Sequence, residues 1–298
     1  MQPRVLVLAG PTASGKTELA VILAQRFGAE IVGADSRQVY RGMPIGTAAP
    51  TPSQLEAVPH HLVGFLDPHE RYSAARFSAD ATRAIREIHA RGKRAIVTGG
   101  TGFYVRALTG AVDLAPQYDE AVRERLAHEA MVHETGFLYE WLRLRDPRRA
   151  AMLHPGDAYR VLRALEVALA PKHARLRSEP LRSLASEGIP FLKLALSVDR
   201  AELDRRIDRR TGAMLDAGLL EEAERVGAAA VAANAVGYPQ ALAYLCGWCS
   251  RAELRALLVR ATRRYSRRQE MWFRSEPDML AVRGDEVERL AREKLGWV

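Results

Sequence analysis

The segment Gly10–Thr17, with the sequence GPTASGKT, constrains the fold of this chain more than any other segment. It fits the spacing G-x-x-x-x-G-K-[ST] and stands between an apolar run, Val5–Ala9, and a helix-forming run, Glu18–Ala24. A strand–loop–helix unit of this kind presents backbone N–H groups to an anion at the positive end of a helix dipole. We expect this loop to bind a di- or triphosphate group, with Lys16 on the terminal phosphates and the Thr17 hydroxyl on Mg²⁺.

Short apolar runs alternate with helical patterns in the first part of the chain, which is typical of a parallel sheet covered by helices. The predicted strands are Val5–Ala9, Glu30–Gly33, Arg94–Thr98 and Phe191–Val198, and the first predicted helices are Lys16–Phe27 and Ser73–Arg91. Ligands of open parallel sheets bind beyond the carboxyl ends of the strands. The phosphate loop and the polar segments Asp35–Gln38 and Thr98–Gly102 all follow predicted strands, so we expect them to lie together.

The middle of the chain differs from its ends, because apolar residues recur there at helical spacing and no strand is predicted. We therefore predict an α/β fold in which a P-loop-containing parallel sheet is covered by helices. A catalytic core formed by residues 1–113 and 188–298 is interrupted by a helical insertion domain at 114–187. After the βα unit that begins at Phe191, only helices are predicted, and these C-terminal helices are basic.

Composition and charge indicate which class of protein this chain belongs to. With 48% hydrophobic and 27% charged residues over 298 positions, the chain is typical of a globular protein. It contains no apolar run close to the roughly 18 residues of a membrane span, and we expect a cytoplasmic protein. The net charge is +8, and Arg251–Arg274 alone carries eight arginines against two glutamates. Such a one-sided helix favours contact with a nucleic acid, although a solvated basic face is the alternative interpretation.

Asp35 is the carboxylate predicted to lie nearest the phosphate loop. From the residues alone it fits three roles, namely general base, Mg²⁺ ligand or solvated turn residue. The strand Arg94–Thr98 ends without the acidic residue that completes the magnesium site of ATP hydrolases. This absence weakens a hydrolase or motor interpretation, and it leaves small-molecule kinases and transferases that bind a diphosphate. The turn Gly99–Gly102 lets the backbone approach a ligand and offers the hydroxyl of Thr101.

Several motifs together resemble those of the bacterial tRNA dimethylallyltransferases, and the resemblance extends over essentially the whole chain. The motifs that carry it are Gly10–Thr17, Asp35–Met43, Ile45–Ala48, Gly99–Tyr104, Asp146-Pro147, His154-Pro155, Arg160, Arg163–Val167, Gly218–Leu220, Glu222, Val236–Tyr238, Thr262–Tyr265, Arg268-Gln269 and Trp272-Phe273. The most specific of them is Asp35–Met43. The resemblance implies transfer of a dimethylallyl group from dimethylallyl diphosphate to N6 of adenosine 37, beside the tRNA anticodon.

The resemblance also implies a role for each matching residue. Asp35 would accept a proton from the adenine amine, and Thr101 would hydrogen-bond at the reacting centre. The implied diphosphate-binding residues are Gly10, Pro11, Thr12, Ala13, Ser14, Gly15, Lys16, Thr17, Arg206 and Arg210, with Thr17 on Mg²⁺. The implied tRNA-binding residues are Asp35, Ser36, Arg37, Gln38, Thr101, Arg123, Tyr159, Arg160, Val161, Leu162, Arg163, Asn234, Val236, Gly237, Tyr238 and Pro239.

The expected partners are therefore dimethylallyl diphosphate and the anticodon stem-loop of tRNA, the expected cofactor is Mg²⁺, and we expect a monomer. Two other functions are considered. A small-molecule or nucleoside kinase would use the same loop for ATP, but it leaves the arginine-rich helix without a purpose. A nucleotide-gated RNA-binding module would bind tRNA and form no product.

Overall fold

The computed structural model describes residues 4–112, 120–170 and 182–298 of the chain. It separates two compact units, one formed by Met1–Val112 with Leu181–Val298 and the other by Asp113–Pro180. Among the described residues, no helix combines the length and the apolar character that crossing a lipid bilayer requires.

The first unit is built on a six-stranded sheet in which every recorded pairing is parallel. Its strands are β1 (Val5–Ala9), β2 (Ala29–Gly33), β3 (His60–His61), β4 (Arg94–Gly99), β5 (Phe191–Leu196) and β6 (Met279–Val282), in the order β3-β2-β4-β1-β5-β6. The central strand β1 is buried along its whole length because helices cover both faces, which explains its continuous apolar sequence. The predicted parallel α/β fold is thus confirmed.

The helices of the described residues are numbered in chain order. In the first unit they are α1 (Lys16–Phe27), α2 (Pro52–Ala57), α3 (Ala74–Ala90), α4 (Gly102–Thr109), α9 (Arg200–Asp216), α10 (Leu219–Val226), α11 (Ala228–Ala232), α12 (Tyr238–Leu245), α13 (Arg251–Arg274) and α14 (Val287–Leu295). In the second unit they are α5 (Glu120–Val132), α6 (Thr135–Arg145), α7 (Pro147–Ala150) and α8 (Ala158–Leu169).

Local sequence explains where the helices that matter for the site begin. Helix α1 starts after Gly15, whose φ of +88° lies in the left-handed region that glycine adopts without strain. Helix α13 starts with a capping box in which Ser250 and Glu253 satisfy each other's backbone N–H groups. These two starts place α1 directly behind the phosphate loop and give α13 a defined first turn.

The boundary between the units differs from the predicted one at its C-terminal side. Residues 182–187 were expected in the insertion, but they pack on the first unit: the Leu184 N–H donates to the Leu108 carbonyl (2.7 Å), and Glu187 pairs with Arg86 (2.9 Å). The Ser78 hydroxyl also donates to the Arg182 carbonyl. The insertion is therefore shorter than predicted. At the other boundary, residues 113–119 lie outside the described part of the chain.

Two strands of the sheet, β3 and β6, were not predicted from the sequence. β6 lies in the C-terminal segment that was predicted to be wholly helical, so that prediction is wrong there. β3 has only two residues. Both are edge strands, and within β6 Leu280 and Ala281 are exposed, so neither strand has the buried apolar run by which a central strand is found.

Candidate active site

The sheet brings the three predicted polar segments together. β1 pairs with β4 so that Ala9 lies opposite Gly99, and β4 pairs with β2 so that Thr98 lies opposite Gly33. The residues that follow these strand ends are the loop Gly10–Thr17, the turn from Gly100 and the segment from Asp35. Because parallel strands end at one edge of the sheet, three segments far apart in sequence line one crevice.

The loop Gly10–Thr17 has the geometry of an anion cradle. Ala13 and Gly15 both have positive φ, as in backbone turns that bind anions, and the N–H groups of the first turn of α1 lack partners within the helix. The Ser14 hydroxyl is buried without a hydrogen-bond partner. A buried polar atom without a partner costs free energy, and an oxyanion in the loop would supply the missing bond.

The segment after β2 is held in place by Thr101. The Ser36 N–H donates to Thr101 Oγ1 (2.9 Å), and the Thr101 hydroxyl donates in turn to Ser36 Oγ (3.1 Å). The Arg37 N–H donates to Asp35 Oδ1 (3.0 Å), which leaves the second carboxylate oxygen of Asp35 for another partner. In the protein alone, Thr101 therefore positions the residues next to Asp35.

One cavity of the first unit contains most of these groups. Its polar lining comprises Thr12, Lys16, Thr17, Asp35, Arg37, Gln38, Thr47, Arg210, Thr211, Asn234, Thr262, Tyr265 and Gln269. Its apolar lining includes Ile207, Met214, Leu219, Val236 and Leu258. The Lys16 ammonium and the Arg210 guanidinium, both predicted for the anion site, therefore line the same cavity as the Asp35 carboxylate. Part of the cavity wall is apolar.

Charges in this cavity influence one another. Burial, together with the Arg210 guanidinium, lowers the pKa of Lys16 to about 8, although the Asp35 carboxylate opposes this shift. Burial also lowers the pKa of Arg210, again against the attraction of Asp35, but a guanidinium stays protonated in proteins. In the free protein, Lys16 thus loses its proton more readily than an exposed lysine.

This pKa gives a testable pH dependence of anion binding. Above pH 8 a growing fraction of the free protein has a neutral Lys16, so the Kd for inorganic pyrophosphate is expected to rise with pH, by a factor that approaches about tenfold per pH unit. Below pH 8 the lysine is already charged, and it contributes no pH dependence. Calorimetry with Lys16→Arg as control measures this, since the arginine remains charged. An equal slope in both proteins would contradict the assignment to Lys16.

The two predicted diphosphate arginines occupy different positions. Arg210 lines the cavity beside Lys16 and Asp35. Arg206 instead donates from Nε to Glu202 (2.7 Å), and its Nη1 reaches the Ser14 carbonyl at 3.4 Å. Arg206 thus lines an adjacent open pocket with Lys16, Thr17 and Arg210, and of the two arginines only Arg210 also lines the cavity that contains Asp35.

The loop from Met43 to Ala48 is held by Glu222, for which no role was predicted, together with Gln38 and Tyr238, which were predicted to bind tRNA. The buried Glu222 carboxylate accepts hydrogen bonds from the N–H groups of Ile45 (3.0 Å) and Gly46 (2.7 Å) and from the Tyr238 hydroxyl (2.6 Å). Gln38 Nε2 donates to the carbonyls of Thr47 (3.2 Å) and Ala48 (2.9 Å). The only signal in the sequence was that Glu222 falls within a motif of the resembling family.

The segment Asn234–Pro239 requires one correction. Asn234, Val236 and Gly237 line the cavity, and Pro239 is exposed. The Tyr238 side chain, however, is fully buried in a core that includes Val39 and Met43. Tyr238 was predicted to bind tRNA, but this burial leaves its ring no surface for RNA. It supports the Met43–Ala48 loop instead.

The helical unit carries the other predicted tRNA residues. Tyr159 and Arg160 are exposed at the start of α8, Leu162 is half-buried, and Arg123 and Arg163 both contact Glu166 (3.5 and 2.7 Å). The Val161 side chain is fully buried in the core of this unit, so it was wrongly predicted as a contact residue.

Helix α13 carries a basic groove, as its composition suggests. With α9 it lines an open depression whose members are Asp208, Arg251, Ala252, Arg255, Ala256, Val259, Arg260, Arg263, Arg264 and Arg267. Arg255 pairs with Asp208 and Arg263 with Asp204. Six arginines against one acidic lining residue make this groove attractive to a polyanion.

A divalent cation fits the site only together with a substrate. Within the described residues, no group of three or more His, Cys, Asp or Glu side chains is placed to hold a metal. The Thr17 hydroxyl and the Asp35 carboxylate nevertheless line one cavity. Mg²⁺ takes oxygen ligands and is commonly held by one or two protein groups plus phosphate oxygens and water. The donor set present therefore fits Mg²⁺ on a bound diphosphate.

Comparison with known proteins agrees with this geometry. The profile of the family described as IPP transferase matches residues 38–276, and one described as isopentenyl transferase matches residues 3–67. Among curated relatives, the tRNA dimethylallyltransferase of Geobacter sulfurreducens is 43% identical (92% of this chain and 90% of the relative), and that of Anaeromyxobacter dehalogenans is 47% identical (92% of each).

Solved structures give the same result. A tRNA isopentenylpyrophosphate transferase from Bacillus halodurans matches with a TM-score of 0.69 and 33% identity, covering 99% of this chain and 96% of that one. A eukaryotic dimethylallyltransferase described as acting on tRNA matches with a TM-score of 0.75 and 25% identity, covering 99% of this chain and 77% of that one. With the profile and the relatives, these matches confirm the resemblance: the chain belongs to the IPP transferase family.

Proposed function

We propose that this chain is a prenyltransferase that moves a dimethylallyl group from dimethylallyl diphosphate to N6 of adenosine 37 in tRNA, with release of diphosphate. The observation that best supports this is a single cavity that joins an anion site to a carboxylate. Lys16, Thr17 and Arg210 lie on its wall together with Asp35. The family supports the same reaction, since curated relatives are named tRNA dimethylallyltransferases.

The phosphate loop would hold the leaving group. The N–H groups of the first turn of α1, the Lys16 ammonium and the Arg210 guanidinium would all offer positive charge or partial positive charge to this group. As the bond between C1 of the dimethylallyl group and the diphosphate oxygen breaks, negative charge grows on that oxygen. Donors fixed in advance stabilise such charge without reorganisation, so this arrangement favours departure of the diphosphate.

Asp35 would act as the general base. The exocyclic amine of adenine is a poor nucleophile, because its lone pair is delocalised into the ring. As the new N6–C1 bond forms, Asp35 would accept the proton that N6 loses, and the bond electrons of the donor leave with the diphosphate. The Arg37 N–H and the Thr101–Ser36 contacts hold this carboxylate segment in one orientation.

Mg²⁺ is the proposed cofactor, with Thr17 as its protein ligand. When bound, it would neutralise diphosphate charge and so improve the leaving group. Thr17 suits this role because it lies in the first turn of α1, directly after Lys16.

We propose that tRNA binds through both units. A base must leave its stack to reach a cavity of this kind, which costs least in an unpaired loop. Asn234, Val236, Gly237 and Pro239 belong to the cavity lining or lie next to it, and the helical unit Asp113–Pro180 offers the exposed Tyr159 and Arg160. We further propose that the protein acts as a monomer.

The basic groove of α13 predicts a steep salt dependence of tRNA affinity. Several phosphate contacts would lower the affinity by orders of magnitude between low and moderate salt. The double variant Arg264→Gln/Arg267→Gln is expected to reduce the slope of log K against log salt by about two, roughly one per lost contact. Arg289→Gln is the control, since that exposed arginine lies in α14 and pairs with Glu293. A flat salt response, or equal slopes in all three proteins, would contradict phosphate binding by the groove.

One assay separates this function from the alternatives. The purified protein is incubated with labelled dimethylallyl diphosphate and unmodified tRNA, and in parallel with ATP labelled on its terminal phosphate and candidate metabolites. Label from the prenyl donor in the RNA supports the proposal. Phosphoryl transfer to a metabolite would support a kinase, which the family relationship does not favour, and tRNA binding without any product would support an RNA-binding module.

A further inference from the structure

One buried side chain joins the two halves of the site. Gln269, on α13, is 5% exposed. Its Oε1 accepts a hydrogen bond from the Thr12 N–H (2.8 Å), and its Nε2 donates to the Gly100 carbonyl (2.8 Å). These partners lie 257 and 169 residues away in sequence, one in the phosphate loop and one in the turn that precedes Thr101.

The chemistry of the partners matches an amide at this position. A backbone N–H needs an acceptor and a backbone carbonyl needs a donor, and an amide presents both on one planar group. An ionised glutamate would place an oxygen without a proton against the Gly100 carbonyl, and an apolar side chain would leave both backbone groups without a partner. The orientation of the amide is therefore fixed by the two groups it connects.

The backbone at Gly100 is shaped to receive this amide. A Cβ at that position would lie 2.2 Å from Gln269 Nε2 and 3.4 Å from Asp35 Oδ2. The close approach explains why the turn has glycine there. It also shows that the Gln269 contact is made directly beside the Asp35 carboxylate.

We propose that Gln269 is a positioning residue that sets the distance between the diphosphate held by the loop and the base held near Asp35. The inference rests on the proposed prenyl transfer. Thr12 belongs to the wall that would hold the leaving group, whereas Gly100 and Thr101 belong to the wall that orients Asp35 and Ser36. Reaction requires donor carbon and acceptor nitrogen about 3–3.5 Å apart, and a misplacement of about 1 Å costs about 100-fold in rate.

A purely structural role makes a different prediction from a positioning role. If Gln269 only stabilised the fold, its variants would lower the Tm but keep the turnover number of the folded fraction. If it sets the distance between two walls, folded variants would bind each substrate nearly normally and react slowly. A fall in kcat without a matching loss of pyrophosphate affinity therefore distinguishes a positioning role from a purely structural one.

The test compares Gln269→Met and Gln269→Glu with wild type and Ser266→Ala. The glutamate variant retains an oxygen that can accept the hydrogen bond from the Thr12 N–H. If the methionine variant does not fold, the glutamate variant alone distinguishes a positioning role from a structural one. Ser266 is the matched control because it is fully buried on the same helix and its hydroxyl has no hydrogen-bond partner. Circular dichroism establishes folding, a transfer assay at saturating dimethylallyl diphosphate and tRNA gives kcat, and calorimetry gives the Kd of inorganic pyrophosphate.

We expect kcat to fall about 10–100-fold in the Gln269 variants, while their pyrophosphate Kd stays within about threefold of wild type. Ser266→Ala should behave as wild type. A kcat near that of wild type, or a loss of pyrophosphate affinity as large as the loss of kcat, would overturn the inference. An equal loss in Ser266→Ala would also overturn it. If wild type and Ser266→Ala both fail to modify tRNA, the proposed function is what fails.

Discussion

Replacement of Asp35 by asparagine is expected to lower the turnover of dimethylallyl transfer by about 10²–10⁴-fold, the usual contribution of a general base. The asparagine retains an oxygen for the hydrogen bond that Asp35 Oδ1 accepts from the Arg37 N–H, so the local backbone should be preserved. It loses the negative charge beside Lys16 and Arg210 and, with it, the ability to accept the proton that N6 loses. The measurement is single-turnover transfer with unmodified tRNA, together with tRNA affinity, which should change little.

Asp67→Asn is a matched control for this experiment. Asp67 makes the same local contact, because its Oδ1 accepts a hydrogen bond from the N–H two residues later, that of His69 (2.9 Å). It is exposed and is not part of the cavity lining. The control should retain full turnover. An Asp35→Asn protein that transfers at the wild-type rate would exclude the carboxylate as the base.

Replacement of Lys16 by methionine should have the second largest effect. Methionine keeps an unbranched apolar stem but loses the ammonium that lies beside Asp35 and Arg210 in the cavity. We expect the Kd for pyrophosphate to rise about 10–100-fold, as for the loss of a hydrogen bond to a charged group. The transfer rate should fall by about 10²–10³, since charge on the leaving oxygen grows during bond breaking.

The control for this variant is Lys93→Met. Lys93 is exposed and directly precedes β4, at the opposite end of that strand from Gly99. Its replacement should leave pyrophosphate binding and transfer unchanged. Calorimetry and the transfer assay measure both proteins. If Lys16→Met bound pyrophosphate as tightly as wild type, the loop would not be the diphosphate site.

Local sequence was sufficient to predict the elements that build the phosphate loop. β1 and α1 have the bounds expected from the sequence, because a fully buried central strand is apolar throughout and Gly15 and Gly28 delimit the helix. The pattern in α13 was equally clear, since its apolar seam and its arginines repeat at helical spacing. These are features that depend on neighbours in sequence.

Contacts between distant residues could not be predicted in this way. Tyr238 follows Gly237 in a motif of the resembling family, but its environment is set by Glu222 and by Met43, which lies 195 residues away. Whether an aromatic ring faces RNA or a core depends on that packing. The Gln269 amide is a second example, because its role follows from two backbone partners that only the folded chain brings together.

The position and chemistry of the product test the central claim most directly. Unmodified tRNA is incubated with the wild-type protein, Mg²⁺ and dimethylallyl diphosphate, and mass spectrometry of its nuclease fragments and nucleosides locates any added group. The account predicts one dimethylallyl group on N6 of adenosine 37 for each diphosphate released, and none in tRNA with guanosine at that position. Diphosphate release without modified RNA, or modification at another nucleotide, would contradict it.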